Sequence, residues 1–142
     1  MIKISDILRV KGGEVISLPS DSTVRELIAI LAERRIGAVL VVDGSDLRGV
    51  VSERDVVRRL HTDGDAVLDT ELVDLMSSDV VTCGMDDDLD TIAATMTERR
   101  IRHMPVMRDQ TLVGVVSIGD VVKSRMEQLQ SESDQLTHYI TG

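Results

Sequence analysis

A chain of 142 residues, 42% of them hydrophobic, can bury one sizeable core or two small halves, and its formal net charge of -9 argues against non-specific binding of nucleic acid. No apolar run approaches the roughly 18 residues of a membrane span, and the N-terminus lacks the basic and apolar segments of a secretory signal. The single cysteine, Cys83, excludes an internal disulfide and suits a reducing compartment, so we expect a cytoplasmic protein without membrane or nucleic-acid partners.

In chain order, the first part of the sequence predicts a strand, a helix, two further strands and a second helix. Thr23 and Glu26 fit a capping box, and apolar residues at helical spacing follow them. Two β-branched runs separated by an Asp-Gly turn then predict a hairpin of buried strands. Ser52 starts the next helix as its N-cap, with Asp55 in the first turn. These segments span residues 15–18, 24–31, 38–42, 47–51 and 53–60.

The rest of the sequence repeats this order at an offset of 65 residues. Glu33–Ile36 returns as Glu98–Ile101, and the offset holds without a gap from Val15–Arg58 to Val80–Lys123, with about 16 identical positions. Such a regular match indicates an internal duplication. Asp88 starts the first helix of repeat 2. The hairpin residues that we expect to be buried in the sheets are Val39–Val42, Leu47–Val51, Val106 and Val113–Val116.

Further segments lie outside the gapless duplication. Ser5–Leu8 resembles Val73–Met76 at an offset of 68, and we expect an N-terminal helix there, while the polar residues 61–65 link the two halves. The chain then divides into repeat 1 with the N-terminal helix and linker, repeat 2, and a helical tail. These parts are residues 1–68, 69–126 and 127–142.

The C-terminal tail has its own pattern. Beyond Lys123, apolar residues at heptad-like spacing predict a helix that packs on a partner or on its own module. Several apolar side chains flank the predicted helices, and a 15.6 kDa monomer would struggle to cover them, so we expect a homodimer. These positions are Leu75, Met76, Leu129, Leu136 and Ile140.

The doubled pattern resembles a known family. An apolar strand, an amphipathic helix and an apolar hairpin, followed by Gly-hydrophobic-hydrophobic-Ser-x-x-Asp at a helix start, are similar to the CBS motif, named for cystathionine β-synthase. Two in tandem resemble a Bateman module, and the Lys-Gly-Gly loop, the Arg-His-Met-Pro segment and the Leu-Thr-His-Tyr-Ile tail resemble small bacterial stand-alone CBS pairs. The resemblance covers roughly Ser5 to Lys123. It implies an α/β fold of α+β type with two motifs in a pseudo-twofold arrangement, binding of AMP, ATP, NAD or S-adenosylmethionine in the cleft between them, and dimerisation into a flat disc.

The two Ser-x-x-Asp segments suit an adenosine nucleotide chemically. A helix N-terminus offers unsatisfied N–H groups and the positive end of the helix dipole to a phosphate, and the hydroxyl of Ser52 or Ser117 can donate to it as well. One turn on, the carboxylate of Asp55 or Asp120 can accept hydrogen bonds from the ribose hydroxyls, worth about 1.5–3 kcal/mol each. Ordinary helix capping is the alternative role for both pairs. Their recurrence at one offset in a CBS-like frame favours the binding role.

The two predicted sites differ in charge. Arg102 and His103 occupy the positions that Gly37 and Ala38 occupy in repeat 1, so only one site has two potential cations before its strand. In the family a basic pair at this place meets nucleotide phosphates, and the resemblance assigns that role to Arg102 and His103. The stronger phosphate site is therefore predicted at Arg102, His103, Ser117 and Asp120, and the resemblance places its adenine side at Lys11, Val15, Ile16, Ile36, Gly37 and Ala38.

The second predicted site has fewer positive charges. It combines Ser52, Arg54 and Asp55 with Val80, Val81, Met104 and Pro105. Arg54 is its only evident phosphate partner, and pairing with Glu53 or Asp55 on a solvated helix is the alternative role for that arginine. Lys11 can likewise end the N-terminal helix as a C-terminal cation or reach into the cleft. NAD could occupy the stronger cleft by extending its second phosphate towards Lys11 and the Gly12–Gly13 turn.

Together these patterns favour a non-catalytic regulatory module. It would bind an adenosine nucleotide, such as AMP, ATP or NAD(H), and an unknown regulated protein would respond through differential affinity for two states. The alternative is a structural dimerisation and partner-binding module with degenerate ligand sites. An enzyme ranks third because the sequence has no base–nucleophile pair, metal cluster or Gly-rich phosphate loop. The histidines have no metal-ligand spacing, and nothing in the sequence around Cys83 suggests a nucleophile.

Overall fold

Repeat 1 folds in the predicted order, and the N-terminal helix is confirmed. The computed structural model describes residues 1–12 and 15–141 of the chain. Helix α3 continues beyond the predicted end near Leu60, so most of the expected polar linker is helical and the remainder begins a 3₁₀ turn. The elements are α1 (Ile4–Lys11), β1 (Ser17–Leu18), α2 (Val24–Arg34), β2 (Ala38–Asp43), β3 (Asp46–Ser52) and α3 (Glu53–Asp63), followed by 3₁₀ turns at Gly64–Asp69 and Leu72–Asp74.

Repeat 2 forms the same order of elements, which confirms the predicted mixed α/β fold. The predicted C-terminal tail is the continuation of the last helix of this repeat, without a break at residue 127. Within the described part of the chain, no helix combines the length and apolarity needed to cross a bilayer. The elements are β4 (Cys83–Gly84), α4 (Leu89–Arg99), β5 (His103–Arg108), β6 (Thr111–Ser117) and α5 (Ile118–Thr141).

Each repeat builds a three-stranded sheet. The strand orders are β1-β2-β3 and β4-β5-β6. In the first sheet β1 runs parallel to β2, with Ser17 opposite Leu40, and β3 runs antiparallel to β2, with Ala38 opposite Ser52. In the second sheet β4 runs parallel to β5, with Cys83 opposite Val106. The matching parallel pairs follow from the duplication, because each helix crosses between two strands of one sheet.

The chain divides into two compact units. The segment that precedes repeat 1 in sequence belongs to the repeat-2 unit, and the segment that precedes repeat 2 belongs to the repeat-1 unit. The repeat-1 unit comprises Val15–Val81 and Asp109–Leu112, and the repeat-2 unit comprises the described residues of Met1–Glu14, Thr82–Arg108 and Val113–Gly142. In the repeat-2 unit, the amides of Ile4 and Ser5 donate to the carbonyls of Asp87 and Met85. Helix α1 therefore belongs structurally with repeat 2, although it precedes repeat 1 in sequence.

Apolar burial does not extend along the whole length of each hairpin. In the repeat-1 unit, Val39, Val41 and Val51 join the α2 residues Val24 and Leu27 in the core. The expectation of continuous burial is wrong at Arg48, which is exposed, and at Val42, Leu47, Val50, Val113 and Val115, which are only partly buried. Strand side chains alternate between two faces, and β3 and β6 bury every second residue near their ends, whereas β2 and β5 bury the three consecutive residues Val39–Val41 and Met104–Val106.

The exposure expected of Leu75 and Met76 is also wrong. Both are partly buried and pack against the core of the repeat-1 unit, because the segment after the 3₁₀ turns lies against β3. The other three positions predicted to be exposed lie on α5, and their side chains are accessible to solvent. They are Leu129, Leu136 and Ile140, exposed by 56%, 61% and 74%.

Two glycines at equivalent positions, Gly49 and Gly114, allow other segments of the chain to approach the sheets closely. A Cβ atom on Gly49 would lie 2.6 Å from the backbone oxygen of Ser77, and a Cβ on Gly114 would lie 2.9 Å from the Cδ2 atom of Leu8. Real Cβ atoms do not approach other heavy atoms so closely. Leu8 and Met76 are themselves equivalent at the offset of 68. Both units therefore pack an equivalent segment against an equivalent glycine. The nearest atom is a backbone oxygen beside Gly49 and a leucine side-chain carbon beside Gly114.

We expect Gly49→Ala to destabilise the protein more than Gly114→Ala. Beside Gly49 the obstacle is a backbone carbonyl that accepts a hydrogen bond from Val50, whereas beside Gly114 it is the end of a leucine side chain that can change rotamer. Overpacking of this kind costs about 1–3 kcal/mol, and we place Gly49→Ala at the upper end and Gly114→Ala at or below the lower end. Urea unfolding of the two variants measures the difference, and equal losses would contradict this account of the packing.

Candidate functional site

The side chain of Lys11 reaches the start of α5. Helix α1 buries Ile7 and Leu8, and residues three and four positions apart share a helix face, so the stem of Lys11 follows the buried face. The Nζ atom of Lys11 donates to Asp120 Oδ2 at 2.6 Å and to the carbonyl oxygen of Val115 at 2.8 Å. Lys11 thus lies in the last turn of α1 and contacts a predicted site residue of the same unit, and its reach into the cleft between the repeats stays a prediction.

Ser117 and Asp120 form a reciprocal cap at the N-terminus of α5. The backbone N–H of Ser117 donates to Asp120 Oδ2 at 2.9 Å, and the backbone N–H of Asp120 donates to Ser117 Oγ at 3.1 Å. The capping role that we weighed as an alternative is therefore present.

Arg102 and His103 lie beside this cap. The backbone N–H of Ile118, the first residue of α5, donates to the carbonyl oxygen of Arg102 at 2.8 Å. That bond fixes the residue before β5 against the start of α5, and the His103 side chain lies within electrostatic range of Lys11 and Asp120. The repeat-2 unit thus brings together five predicted site residues, which we call the cation cluster site: Lys11, Arg102, His103, Ser117 and Asp120.

Charge coupling within the cation cluster site shifts two pKa values. Burial lowers the pKa of His103, the Lys11 and Arg102 cations lower it further, and Asp120 partly opposes them. Burial acts to raise the pKa of Asp120, but the hydrogen bonds from Lys11 and Ser117 outweigh burial and leave that pKa below its ordinary value. His103 remains exposed to solvent, so water screens its interactions. At neutral pH the site therefore contains one ionised carboxylate, two cations and a neutral imidazole.

The corresponding cap in repeat 1 lacks the lysine. The N–H and Oγ of Ser52 both donate to Asp55 Oδ2, at 2.8 and 3.0 Å, and the N–H of Glu53 donates to the carbonyl oxygen of Gly37 at 2.9 Å. Arg54 is exposed and, within the described residues, forms no ion pair with Glu53 or Asp55. The backbone at this second site matches that of the cation cluster site, whereas the surrounding charges do not.

Glu53 is a residue that the sequence prediction missed. A Cβ atom on Gly37 would lie 3.4 Å from Glu53 Oε1, so a carboxylate occupies the region where repeat 2 has Arg102. The equivalent position on α5 is Ile118. Comparing the two repeats at this position would have revealed the difference in charge. An acidic residue here disfavours a phosphate at the second site.

The remaining predicted residues are divided between the two units. Ser52, Arg54 and Asp55 belong to the repeat-1 unit together with Val15, Ile16, Ile36, Gly37, Ala38, Val80 and Val81, whereas Met104 and Pro105 belong to the repeat-2 unit. Contacts between the two groups remain a prediction from the sequence. In the Gly12–Gly13 turn, Gly12 has a φ of 92°, which suits glycine, and Gly13 lies outside the described residues.

A groove of about 520 Å³ lies between α1 and α5 in the repeat-2 unit. Lys11 and Asp120 are part of its lining, together with Lys123 and apolar residues of α1 such as Ile7 and Val10. The sequence did not predict this groove, because its two walls are more than a hundred residues apart in the chain.

Other candidates for chemistry lack the necessary surroundings. Burial, reinforced by Asp87, raises the pKa of the Cys83 thiol to about 11, and its Sγ donates to the carbonyl oxygen of Pro105. The thiol is therefore protonated at neutral pH and unsuited to act as a nucleophile. In the described part of the chain, no three His, Cys, Asp or Glu side chains converge as metal ligands.

We expect Lys11→Met to reduce the free energy of unfolding by about 0.5–1 kcal/mol at pH 7, because it removes a partly exposed ion pair to Asp120. A carboxyl with a lowered pKa contributes stability that is present above its unfolded pKa and is lost as the pH falls through its folded pKa. The difference between wild type and variant should therefore begin to shrink below about pH 4 and be lost as the pH falls through the lowered pKa of Asp120. Urea unfolding at pH 7 and at a series of pH values below 4 measures it, and a gap that does not shrink across that series would assign the loss to packing.

Comparison with known proteins identifies relatives along most of the chain. The family model for the CBS domain matches residues 4–62 and 72–127. A mitochondrial CBS domain-containing protein of Arabidopsis thaliana, CBSX3, is 31% identical over an alignment of 148 residues. The alignment covers 98% of this chain and 72% of that protein. The described fold also resembles solved structures of CBS pairs.

Two of those structures illustrate the likeness. The CBS-domain containing protein ATU1752 from Agrobacterium tumefaciens is 35% identical with a TM-score of 0.81, covering 87% of this chain and 98% of that one. The CBS domain pair of protein MJ0100, solved with 5'-methylthioadenosine and S-adenosyl-L-methionine, has a TM-score of 0.76 at 23% identity, covering 90% of this chain and 98% of that one. At that identity the likeness to MJ0100 concerns the fold alone.

Proposed function

Because the chain belongs to the CBS-domain family and contains two motifs in tandem, we propose that it is a non-catalytic regulatory module that binds an adenosine nucleotide at the cation cluster site. The proposal rests on one observation: the cations of Lys11 and Arg102, together with the imidazole of His103, surround the start of α5 in a chain whose net charge is -9. A local cluster of basic side chains in an acidic protein favours an anionic ligand, and the N–H groups of a helix N-terminus suit a phosphate.

The capping geometry suggests how each part of the ligand would be held. The hydroxyl of Ser117 can donate to a phosphate oxygen, and Arg102 offers a planar, charged donor beside it. Asp120 is ionised and can accept hydrogen bonds from ribose hydroxyls. For the base we retain the sequence prediction of aliphatic contacts from repeat 1. Binding of adenosine compounds by the related fold of MJ0100 supports the class of ligand, and the cations support AMP, ATP or NAD within that class.

The output of such a module would be a change in its interactions. Helices α3 and α5 each present an exposed valine at equivalent positions, Val57 and Val122, exposed by 64% and 51%. Further exposed apolar residues follow on α5, including Met126 and Leu129. We propose that these helices form a homodimer and that a regulated protein responds to its ligand-dependent state. The free, buried Cys83 suits a reducing compartment, and the proposed location is the cytoplasm.

The second candidate is a structural dimerisation module with degenerate ligand sites. The observation in its favour is that Asp120 is already paired with Lys11, and a paired carboxylate could be a purely structural feature of the α5 cap. The two functions differ in one respect that experiment can separate: the first requires nucleotide binding that depends on the carboxylate, and the second requires none.

We expect Asp120→Ala to weaken AMP binding by about 1.5–3 kcal/mol, or roughly tenfold to a hundredfold, because the ribose loses a charged acceptor. Asp55→Ala is the matched variant in repeat 1 and should affect only a second, weaker binding event. Arg102→Ala should weaken AMP more than adenosine, since only the phosphate contact is lost. Calorimetry with both ligands measures these changes. Unchanged AMP affinity in Asp120→Ala would favour the structural module.

We expect NAD to bind more tightly as the pH falls from about 7.5 to 5.5. In the free protein the pKa of His103 is below its ordinary value, so the imidazole is neutral, and a bound phosphate would favour the protonated form. Asp120 stays ionised in this range, because its pKa is held below its usual value by Lys11 and Ser117. NAD is suitable because its phosphodiesters do not titrate here, unlike the phosphate of AMP. Calorimetry at both pH values tests this, and a pH dependence that survives in His103→Gln would exclude the assigned role.

We expect Val57→Asp and Val122→Asp to dissociate the proposed homodimer, because each buries a charge in an apolar interface. Ser131→Asp places the same charge on an exposed part of α5 and should leave the dimer intact. Sedimentation velocity at micromolar concentration gives the oligomeric state. A monomeric wild-type protein, or equal behaviour of all three variants, would contradict the proposed interface.

A further inference from the structure

Lys11 is bonded to one of the two Asp120 carboxylate oxygens that a ribose could use. Its Nζ donates to Asp120 Oδ2 at 2.6 Å, and the same oxygen accepts the N–H of Ser117 at 2.9 Å. With the proposed function as its basis, we infer that Lys11 is a specificity-determining residue, which selects adenosine ligands with negatively charged 5' groups over neutral or cationic ones. The bond to Asp120 is the resting position of this lysine, and a ligand phosphate is its alternative partner.

The geometry allows Lys11 to exchange partners. The lysine lies in the last turn of α1, its side chain is 34% exposed, and the ammonium group is carried on a flexible four-carbon stem. Val115 contributes only a neutral carbonyl to the resting position, so an anionic phosphate is the stronger competing acceptor. The groove between α1 and α5, lined by both Lys11 and Asp120, gives the side chain space to move.

Selection follows from what each class of ligand provides. A ribose whose two hydroxyls bind both carboxylate oxygens of Asp120 competes with the ammonium group for Oδ2. A nucleoside phosphate supplies a new anion for it, so the cation remains paired. Adenosine supplies none and leaves a partly buried ammonium with only a carbonyl partner, and the sulfonium of S-adenosylmethionine adds a like charge near Lys11 and Arg102. The resting ion pair thus penalises the neutral ligand and penalises the cationic one further.

Repeat 1 shows that the cap does not need a lysine. Asp55 Oδ2 is satisfied by the N–H and Oγ of Ser52 alone, at 2.8 and 3.0 Å. The residues that precede repeat 2, positions 70–80, contain no lysine or arginine that could act as Lys11 does. Since an equivalent cap forms without the ion pair, capping alone does not account for Lys11. A role towards the ligand does account for it.

The test is calorimetry with AMP, adenosine and S-adenosylmethionine at one pH and ionic strength. Lys11→Met should weaken AMP roughly fivefold to tenfold, less than the full value of a charge-assisted contact because wild-type Lys11 gives up its bond to Asp120 on binding, and should leave adenosine unchanged or strengthen it. Binding of S-adenosylmethionine should strengthen. Lys11→Arg keeps the charge and should retain the preference for AMP. Lys3→Met removes a lysine from the start of the same helix and should change none of the three affinities.

Opposite changes for AMP and adenosine are the decisive result, because damage to the fold would weaken both. Parallel losses in Lys11→Met, or an unchanged ratio of the two affinities, would overturn the inference. If Lys11→Met fails to fold in a thermal melt, Lys11→Gln retains a donor for the Val115 carbonyl and takes its place. A wild-type protein that binds none of the ligands would overturn the proposed function as well. If Asp120→Ala loses AMP binding but Lys11→Met keeps the wild-type ratio of AMP to adenosine affinity, the role of Lys11 is overturned and the proposed function stands.

Discussion

A partly buried carboxylate at the start of α5 determines the arrangement of the repeat-2 unit. Asp120 must be satisfied because an unpaired buried charge is costly, and it accepts hydrogen bonds from the Ser117 backbone and from Lys11. The first bond fixes the β6-to-α5 junction. The second joins the end of α1 to α5 across 109 positions of sequence. The N-terminal helix, the last strand and the last helix therefore meet at one oxygen atom, and any ligand that takes this oxygen changes a contact of α1.

Duplication preserved the backbone of the two repeats and changed their charges. Gly49 and Gly114 admit a preceding segment against each sheet, and Glu53 and Ile118 donate equivalent backbone bonds from the start of each final helix. The side chains around these bonds differ: repeat 2 has Lys11, Arg102 and His103, and repeat 1 has Glu53 beside Gly37. One fold thus contains a cap among basic side chains, which we propose as the phosphate site, and a similar cap beside a carboxylate, as expected when one copy is free to diverge.

Local chemistry in the sequence was sufficient to predict most of the fold. The caps at Thr23 and Asp88 and the β-branched hairpins depend on residues within a few positions of one another, and the helices and strands appear where these patterns place them. The pairing of Lys11 with Asp120 could not be predicted, because nothing local indicates which unit the N-terminal helix joins. For the same reason the burial of Leu75 and Met76 was misjudged, since their partners lie in β3 and the core. Glu53 was missed although its difference from Ile118 was visible in the aligned repeats.

The central claim is that an adenosine nucleotide binds at the start of α5 and displaces Lys11 from Asp120. An NMR titration of the isotope-labelled chain with AMP tests it most directly, because it reports on each site separately. The account predicts shifts of the Ser117, Ile118 and Asp120 amides and of the Lys11 side-chain resonances at low AMP concentration, before any change at Ser52 or Asp55. First changes at Ser52 and Asp55, or an undisturbed Lys11 signal at saturating AMP, would contradict it.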